Sequence, residues 1–173
     1  MPGPKGLKKP LFYFEPLSTW DLVTVWGYGV VTVIFIFYNF CDVGPNKVVS
    51  LIFYTVPLQL FNYFLNYVSL RNLKTFLIWC GFGAVHICLF FLLKNNTVYN
   101  GARGVLLNTT ILLFLYQGLR IASRKIQGQE LGMPTKQYKD LFDNRDITVW
   151  DFIFFAIYFG SFGYLSVFAM SKV

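Results

Sequence analysis

One histidine, three cysteines and eight acids are all that the 173 residues offer for metal, nucleophilic or acid–base chemistry. His86 is the sole imidazole, midway along an uncharged apolar run. It could be one ligand of a haem or metal whose second ligand comes from a partner chain, or a ring hydrogen-bonded between helices. Cys80 and Cys88 stand about 12 Å apart on one helix, too far for a disulfide, and read as small packing residues. Catalytic metals need His, Asp, Glu or Cys clustered at ligand spacing. No His-rich box, CxxC pair or Walker loop occurs. The glycine pairs Gly27/Gly29, Gly81/Gly83 and Gly101/Gly104 follow neither dinucleotide nor phosphate-loop spacing. The sequence therefore predicts no metal, no cofactor and no enzyme activity.

A second group of polar residues is more informative. At 100° per residue, Gln59, Asn62 and Asn66 fall within an arc of about 60° on one helix. Carboxamides facing lipid would leave donors and acceptors unsatisfied. The stripe should therefore face another helix, with Asn108, Thr109 and Thr110 as natural partners and His86 in the same interior. Three readings are open: packing within the chain, contact with another subunit, or a water-lined path. Pro57 lies near the opposite side and should kink the helix.

Two segments repeat one device. Ser18-Thr19-Trp20-Asp21 and Thr148-Val149-Trp150-Asp151 both read hydroxyl, x, Trp, Asp. A hydroxyl at the N-cap with an acid three residues on is close to a capping box. The acid also meets the positive end of the helix dipole, and Trp favours the membrane interface. Both segments mark helix starts.

The elements that carry these residues are membrane spans. Hydrophobic residues make up 55% of the chain and charged residues 13%, with mean hydropathy +0.52. A soluble domain carries roughly 25% charged residues. About 20 apolar residues cross a hydrocarbon core as a helix. Five runs qualify: 22–40, 48–70, 75–93, 104–119 and 147–170. Runs such as 30–38 lack the alternation of a membrane β-strand. The expected fold is an all-α bundle of five transmembrane helices, a polytopic integral membrane protein. Residues 1–21 form a basic and aromatic interfacial segment, and 120–146 a polar connection. Short surface helices are expected near Leu11–Phe14 and Pro134–Phe142. Nothing near the start has the pattern of a secretory signal peptide, so the first span should direct insertion. Asn95-Asn96-Thr97 is a glycosylation sequon, but it lies too close to the third span to be used.

Five spans divide the 15 basic residues 11 to 4. Lys8, Lys9, Arg71, Lys74, Arg120, Arg124 and Lys125 fall on the rich side. Lys47, Lys94, Arg103 and Lys172 fall on the other. The positive-inside rule then puts the N-terminus in the cytosol or the mitochondrial matrix. The basic side could also hold anionic lipid, each residue contributing about 1 kcal/mol near such a surface. No nucleic-acid groove of interleaved aromatic and basic residues is present.

Apart from Asp151 in a first turn, the spans contain no charge, which argues against ion-coupled transport and voltage sensing. The favoured expectation is a non-catalytic accessory subunit of a larger membrane complex, bound to other membrane subunits and lipid. A supernumerary subunit of a respiratory complex or ATP synthase in the mitochondrial inner membrane fits that character. An adaptor of the endoplasmic reticulum or Golgi, recruiting partners through 120–146, is the alternative. A small transporter or channel would need a cavity lined by the polar stripe.

Overall fold

In hydrocarbon an unpaired backbone amide costs several kcal/mol, so an uncharged run closes its own hydrogen bonds as a helix. The computed structural model describes residues 10–40, 46–99, 101–134, 140, 142 and 145–171. Among them the chain is all-α. Its helices are α1 (Thr19–Phe40), α2 (Lys47–Phe64), α3 (Leu73–Leu92), α4 (Val105–Gln127) and α5 (Val149–Ser171). Short 3₁₀ turns follow α2 at Ser69–Arg71 and α3 at Leu93–Asn95 and Thr97–Tyr99. α1, α3, α4 and α5 are each long and apolar enough to cross a membrane, as an integral membrane protein requires. α2, with 18 residues, is about 27 Å long and carries Gln59 and Asn62.

Contacts at the two ends give the helix directions. At one end Arg120 Nη2 donates to the Leu11 carbonyl (2.7 Å), Gln117 Nε2 to the Leu70 carbonyl (2.8 Å), and Gly132 N to Asp151 Oδ1 (3.1 Å). These join the approach to α1, the α2–α3 turn, the end of α4 and the start of α5. At the other end the Tyr99 hydroxyl donates to Asn39 Oδ1, and Gly104 lies against Ala169. So α1, α3 and α5 run one way and α2 and α4 the other. α2 joins the same two ends as its neighbours, compatible with a fifth crossing.

α4 is the centre of the bundle. It packs on α2, α3 and α5, and α1 lies on α2 and α3. Of the apolar stretch of each helix, 56% is buried in α4, against 17% in α1 and 11% in α5. α3 approaches α4 closely at Gly83, where a Cβ would sit 2.8 Å from Thr110 Oγ1.

Several expected boundaries are corrected. α4 runs to Gln127, eight residues past Leu119, because Arg120 and Ser123 lie on its buried face and their polar groups are satisfied there. Gly128 ends it at φ 65°, a left-handed conformation that glycine adopts without strain. The polar connection thus begins at 128 rather than 120. α2 stops at Phe64 rather than Leu70, and a turn with a 3₁₀ segment reverses the chain before Asn72 caps α3 by accepting from Lys74 N (3.1 Å). Leu11–Phe14 is not helical: the chain bends at Leu11 and Phe12, and Tyr13 forms an isolated bridge. Tyr13 pairs with Asn72, Leu73 N donates to the Tyr13 carbonyl (3.0 Å), and Asn72 Nδ2 donates to the Glu15 carbonyl (2.9 Å). The sequon falls in the 3₁₀ turns directly after α3. Residues 135–139 and 141, most of the expected surface helix at Pro134–Phe142, lie outside the described residues, as do Lys8 and Lys9.

The Gly83 contact has a direct test. Gly83→Leu should lower stability by about 1–3 kcal/mol through overpacking. Gly81→Leu, where no atom lies within 4 Å of the added Cβ, should leave it unchanged. Thermal unfolding in detergent compares the two.

Candidate functional site

The polar stripe, His86 and α4 form one cluster between α1, α2, α3 and α4. Gln59 (1% exposed), Asn66 and His86 (both 0%) are closed off from solvent, and Asn62 is buried. The Tyr28 hydroxyl is 2.7 Å and the Tyr54 hydroxyl 3.0 Å from His86 Nε2. Thr109 Oγ1 is 2.9 Å from Nδ1. A neutral imidazole has one donor and one acceptor nitrogen. Thr32 donates to the Tyr28 carbonyl, which leaves its oxygen to accept from Tyr54. A consistent network then has Tyr28 donating to Nε2, and Nδ1–H donating to Thr109. Gln59 Nε2 donates to the same Thr109 oxygen (3.0 Å) and to the Val105 carbonyl (2.9 Å). Both ring nitrogens are thereby engaged, and neither keeps a lone pair directed at a metal.

Asn62 and Asn66 meet each other, Asn66 Nδ2 donating to Asn62 Oδ1 at 3.4 Å. Asn108 stands apart from the stripe. It is 3% exposed, and its Nδ2 donates to no group among the described residues. All five residues are buried within the chain, and Asn108 borders an opening between α3, α4 and α5.

Both helix starts close the same reciprocal box. Ser18 N and Oγ donate to Asp21 Oδ2 (2.8 and 2.7 Å), and Asp21 N donates back to Ser18 Oγ (3.1 Å). Thr148 N and Oγ1 donate to Asp151 Oδ2 (both 3.0 Å), and Asp151 N donates back to Thr148 Oγ1 (3.4 Å). Trp20 and Trp150 stay exposed beside them. The two acids differ in their second oxygen. Asp151 Oδ1 accepts from Arg145 Nη2 (2.6 Å), Gly132 N (3.1 Å) and Gln127 Nε2 (3.2 Å). Asp21 Oδ1 is buried without a partner among the described residues.

Glu130 organises the basic end. Its carboxylate accepts from Arg120 Nε (2.6 Å) and Nη2 (3.1 Å) and from Arg124 Nη1 (2.6 Å), with Arg71 Nε at 4.0 Å. Arg71 Nη2 also donates to the Leu131 carbonyl (3.0 Å). Arg71 and Arg120 are buried, so of the residues expected to meet lipid headgroups they face protein instead; Lys74 and Lys125 are exposed. Burial raises the Glu130 pKa, but the Arg120 hydrogen bond and the charges of Arg120, Arg71 and Arg124 outweigh it and hold the carboxyl below its ordinary value. The residues missing from the sequence reading are Glu130, Asn72, Gln117 and Arg145. One signal was available: Gly128 and Gly132 bracket Glu130. The first turns the chain back along α4, and the second has no room for a Cβ beneath the Arg145 guanidinium.

No family model matches the chain, and no curated protein or solved structure is found to be similar to it. What the geometry defines is a class: a polytopic helical membrane protein whose interior polar groups mostly bind one another. Among the described residues no group of three or more His, Cys, Asp or Glu could hold a metal ion.

Two substitutions test these clusters. His86→Leu removes the partner of Tyr28 and Thr109 and should cost about 1–2 kcal/mol by denaturant titration in mixed micelles. Glu130→Gln leaves Arg120 unpaired and should cost about 3–5 kcal/mol. A carboxyl with a lowered folded pKa stabilises above its unfolded value and loses that contribution as pH falls through the folded one. The wild type should therefore lose stability on acidification below about pH 4.5. The Gln variant should lack the Glu130 part of that acid limb in a series of melting curves.

Proposed function

We propose that the chain is a non-catalytic accessory subunit of a larger membrane assembly, docking through the outer face of α5. The observation that carries this is the pair Gly160 and Gly163. A glycine inside a helix costs roughly 0.5–1 kcal/mol relative to alanine. Nothing lies within 4 Å of where either Cβ would be, so neither is needed for packing inside the chain. With Tyr164 (69% exposed) and Val167 (69% exposed) they occupy positions i, i+3, i+4 and i+7 of one outward helical face. Small residues let membrane helices approach closely, and a large aromatic beside them adds contact area. α5 is also the helix least covered by its own chain.

The engaged interior supports the non-catalytic part of this reading. Both ring nitrogens of His86, the Gln59 amide nitrogen, and the Arg120 and Glu130 charges are engaged within the fold. The setting we favour is a supernumerary subunit of a respiratory complex or ATP synthase in the mitochondrial inner membrane, with the N-terminus in the matrix. The 11-to-4 split of basic residues and the small, basic, polytopic character support it. Recruitment of soluble partners through the polar connection is less favoured, since Glu130, Leu131 and Met133 turn inward onto the bundle.

Gly160→Leu and Gly163→Leu should leave the melting temperature of the isolated chain unchanged or raised. The same variants should shift the chain from a large particle to a small one on native gels of solubilised membranes. An unchanged large particle in the double variant would sink the assignment of α5 as the docking face.

A further inference from the structure

At the end of the bundle opposite Glu130, a cavity of about 310 Å³ opens between α3, α4 and α5. Its walls are apolar, with Phe90, Leu107, Ile111, Leu165 and Phe168 prominent. Among the described residues, two polar side chains reach it, Arg103 and Asn108. Arg103 Nη1 donates to the Lys94 carbonyl (2.8 Å), and its guanidinium lies over the Phe90 ring, 5.4 Å from the centroid. No carboxylate among the described residues pairs with it. Asn108 sits about 7 Å deeper along α4. It is nine-tenths buried, and its Nδ2 is without an acceptor.

The fold leaves both residues with unused capacity: the Arg103 charge faces no carboxylate among the described residues, and Asn108 Nδ2 has no acceptor among them. Topology is set by excess Lys and Arg on the other side, so a cation here works against the positive-inside rule. An unpaired amide in an apolar wall costs about 1–3 kcal/mol. One ligand answers both needs. We propose that this cavity binds an anionic glycerophospholipid, with the phosphate on Arg103 and an acyl chain along Leu107, Ile111 and Leu165. A rotation of the Asn108 amide lets Nδ2 donate to an ester carbonyl of that lipid. A partner helix fits less well, because its backbone groups are already bonded to one another and would leave Arg103 and Asn108 unanswered. The cavity borders the outward face of α5, with Phe168 of its wall stacked on Tyr164 (centroids 6.0 Å), but Arg103 and Asn108 are remote from Gly160 and Gly163 in the chain and on other elements, so the Arg103 variants and the glycine variants fail independently.

The test uses the full chain in phosphatidylcholine nanodiscs doped with phosphatidylglycerol, and mass spectrometry of the lipid that stays bound after detergent extraction. The wild type should retain phosphatidylglycerol in preference to phosphatidylcholine. Arg103→Gln should reduce that preference about tenfold, as expected for a lost charge-assisted hydrogen bond, and Arg103→Lys should keep most of it. Ile111→Trp, at the exposed lip, should exclude the acyl chain without touching the cation, which keeps the test available if the Gln variant folds poorly. Equal phosphatidylglycerol preference in the wild type, Arg103→Gln and Ile111→Trp would overturn the proposal. Displacement of the lipid by inorganic phosphate alone would overturn it too, since the site would then read a free anion.

Discussion

A full guanidinium charge with no exposure stands at the end of the central helix, and the basic end of the bundle is arranged around it. Arg120 is on α4, its chief acceptor Glu130 is in the returning connection, and another acceptor is the Leu11 carbonyl before α1. Taking one partner away leaves a buried charge uncompensated, which is far worse than never having the pair. Three separate parts of the chain are therefore held in register by one side chain. Arg71 extends the cluster to the α2–α3 turn, and Gln127 extends the same end to the start of α5 through Asp151. Packing among lipid-like side chains supplies little direction by itself. The polar contacts supply it.

The same logic runs through the middle of the bundle. His86 joins α3 to α1 and α2 through two tyrosines and to α4 through Thr109. Gln59 joins α2 to α4, and the Tyr158 hydroxyl joins α5 to α2 by donating to the Gln59 carbonyl (2.8 Å). Each bond contributes modestly, about 0.6 kcal/mol on average in a membrane. Together they select one arrangement of helices whose apolar surfaces are otherwise alike. The proposed docking function uses the outside of the molecule instead, where α5 carries glycines that have no neighbour within its own fold.

Much of this was legible in the residues. Uncharged runs of about 20 residues have one solution in hydrocarbon, so the helices followed from composition. The paired Ser18/Asp21 and Thr148/Asp151 boxes were readable because capping is local, needing only a four-residue spacing. The interior placement of Gln59, Asn62 and Asn66 followed from helical periodicity. Long-range pairing was not legible. Ending the fourth helix at Leu119 treated Arg120 as a charge seeking water, since nothing local says that Glu130 will return to meet it. Leu11–Phe14 read as a short aromatic surface helix in the interface, because its partner Asn72 lies 59 residues from Tyr13 in the chain. Arg103 and Asn108 read as a topology residue and a packing residue until the cavity between them was visible.

The central claim is that this chain's outward surface, rather than its interior, carries its function within a larger assembly. The most direct measurement is purification of the tagged wild-type chain from its own membranes in mild detergent, with native sizing and mass spectrometry of what elutes with it. A large particle containing membrane subunits in fixed proportion is the expected result. A small particle holding only this chain and lipid would contradict the account.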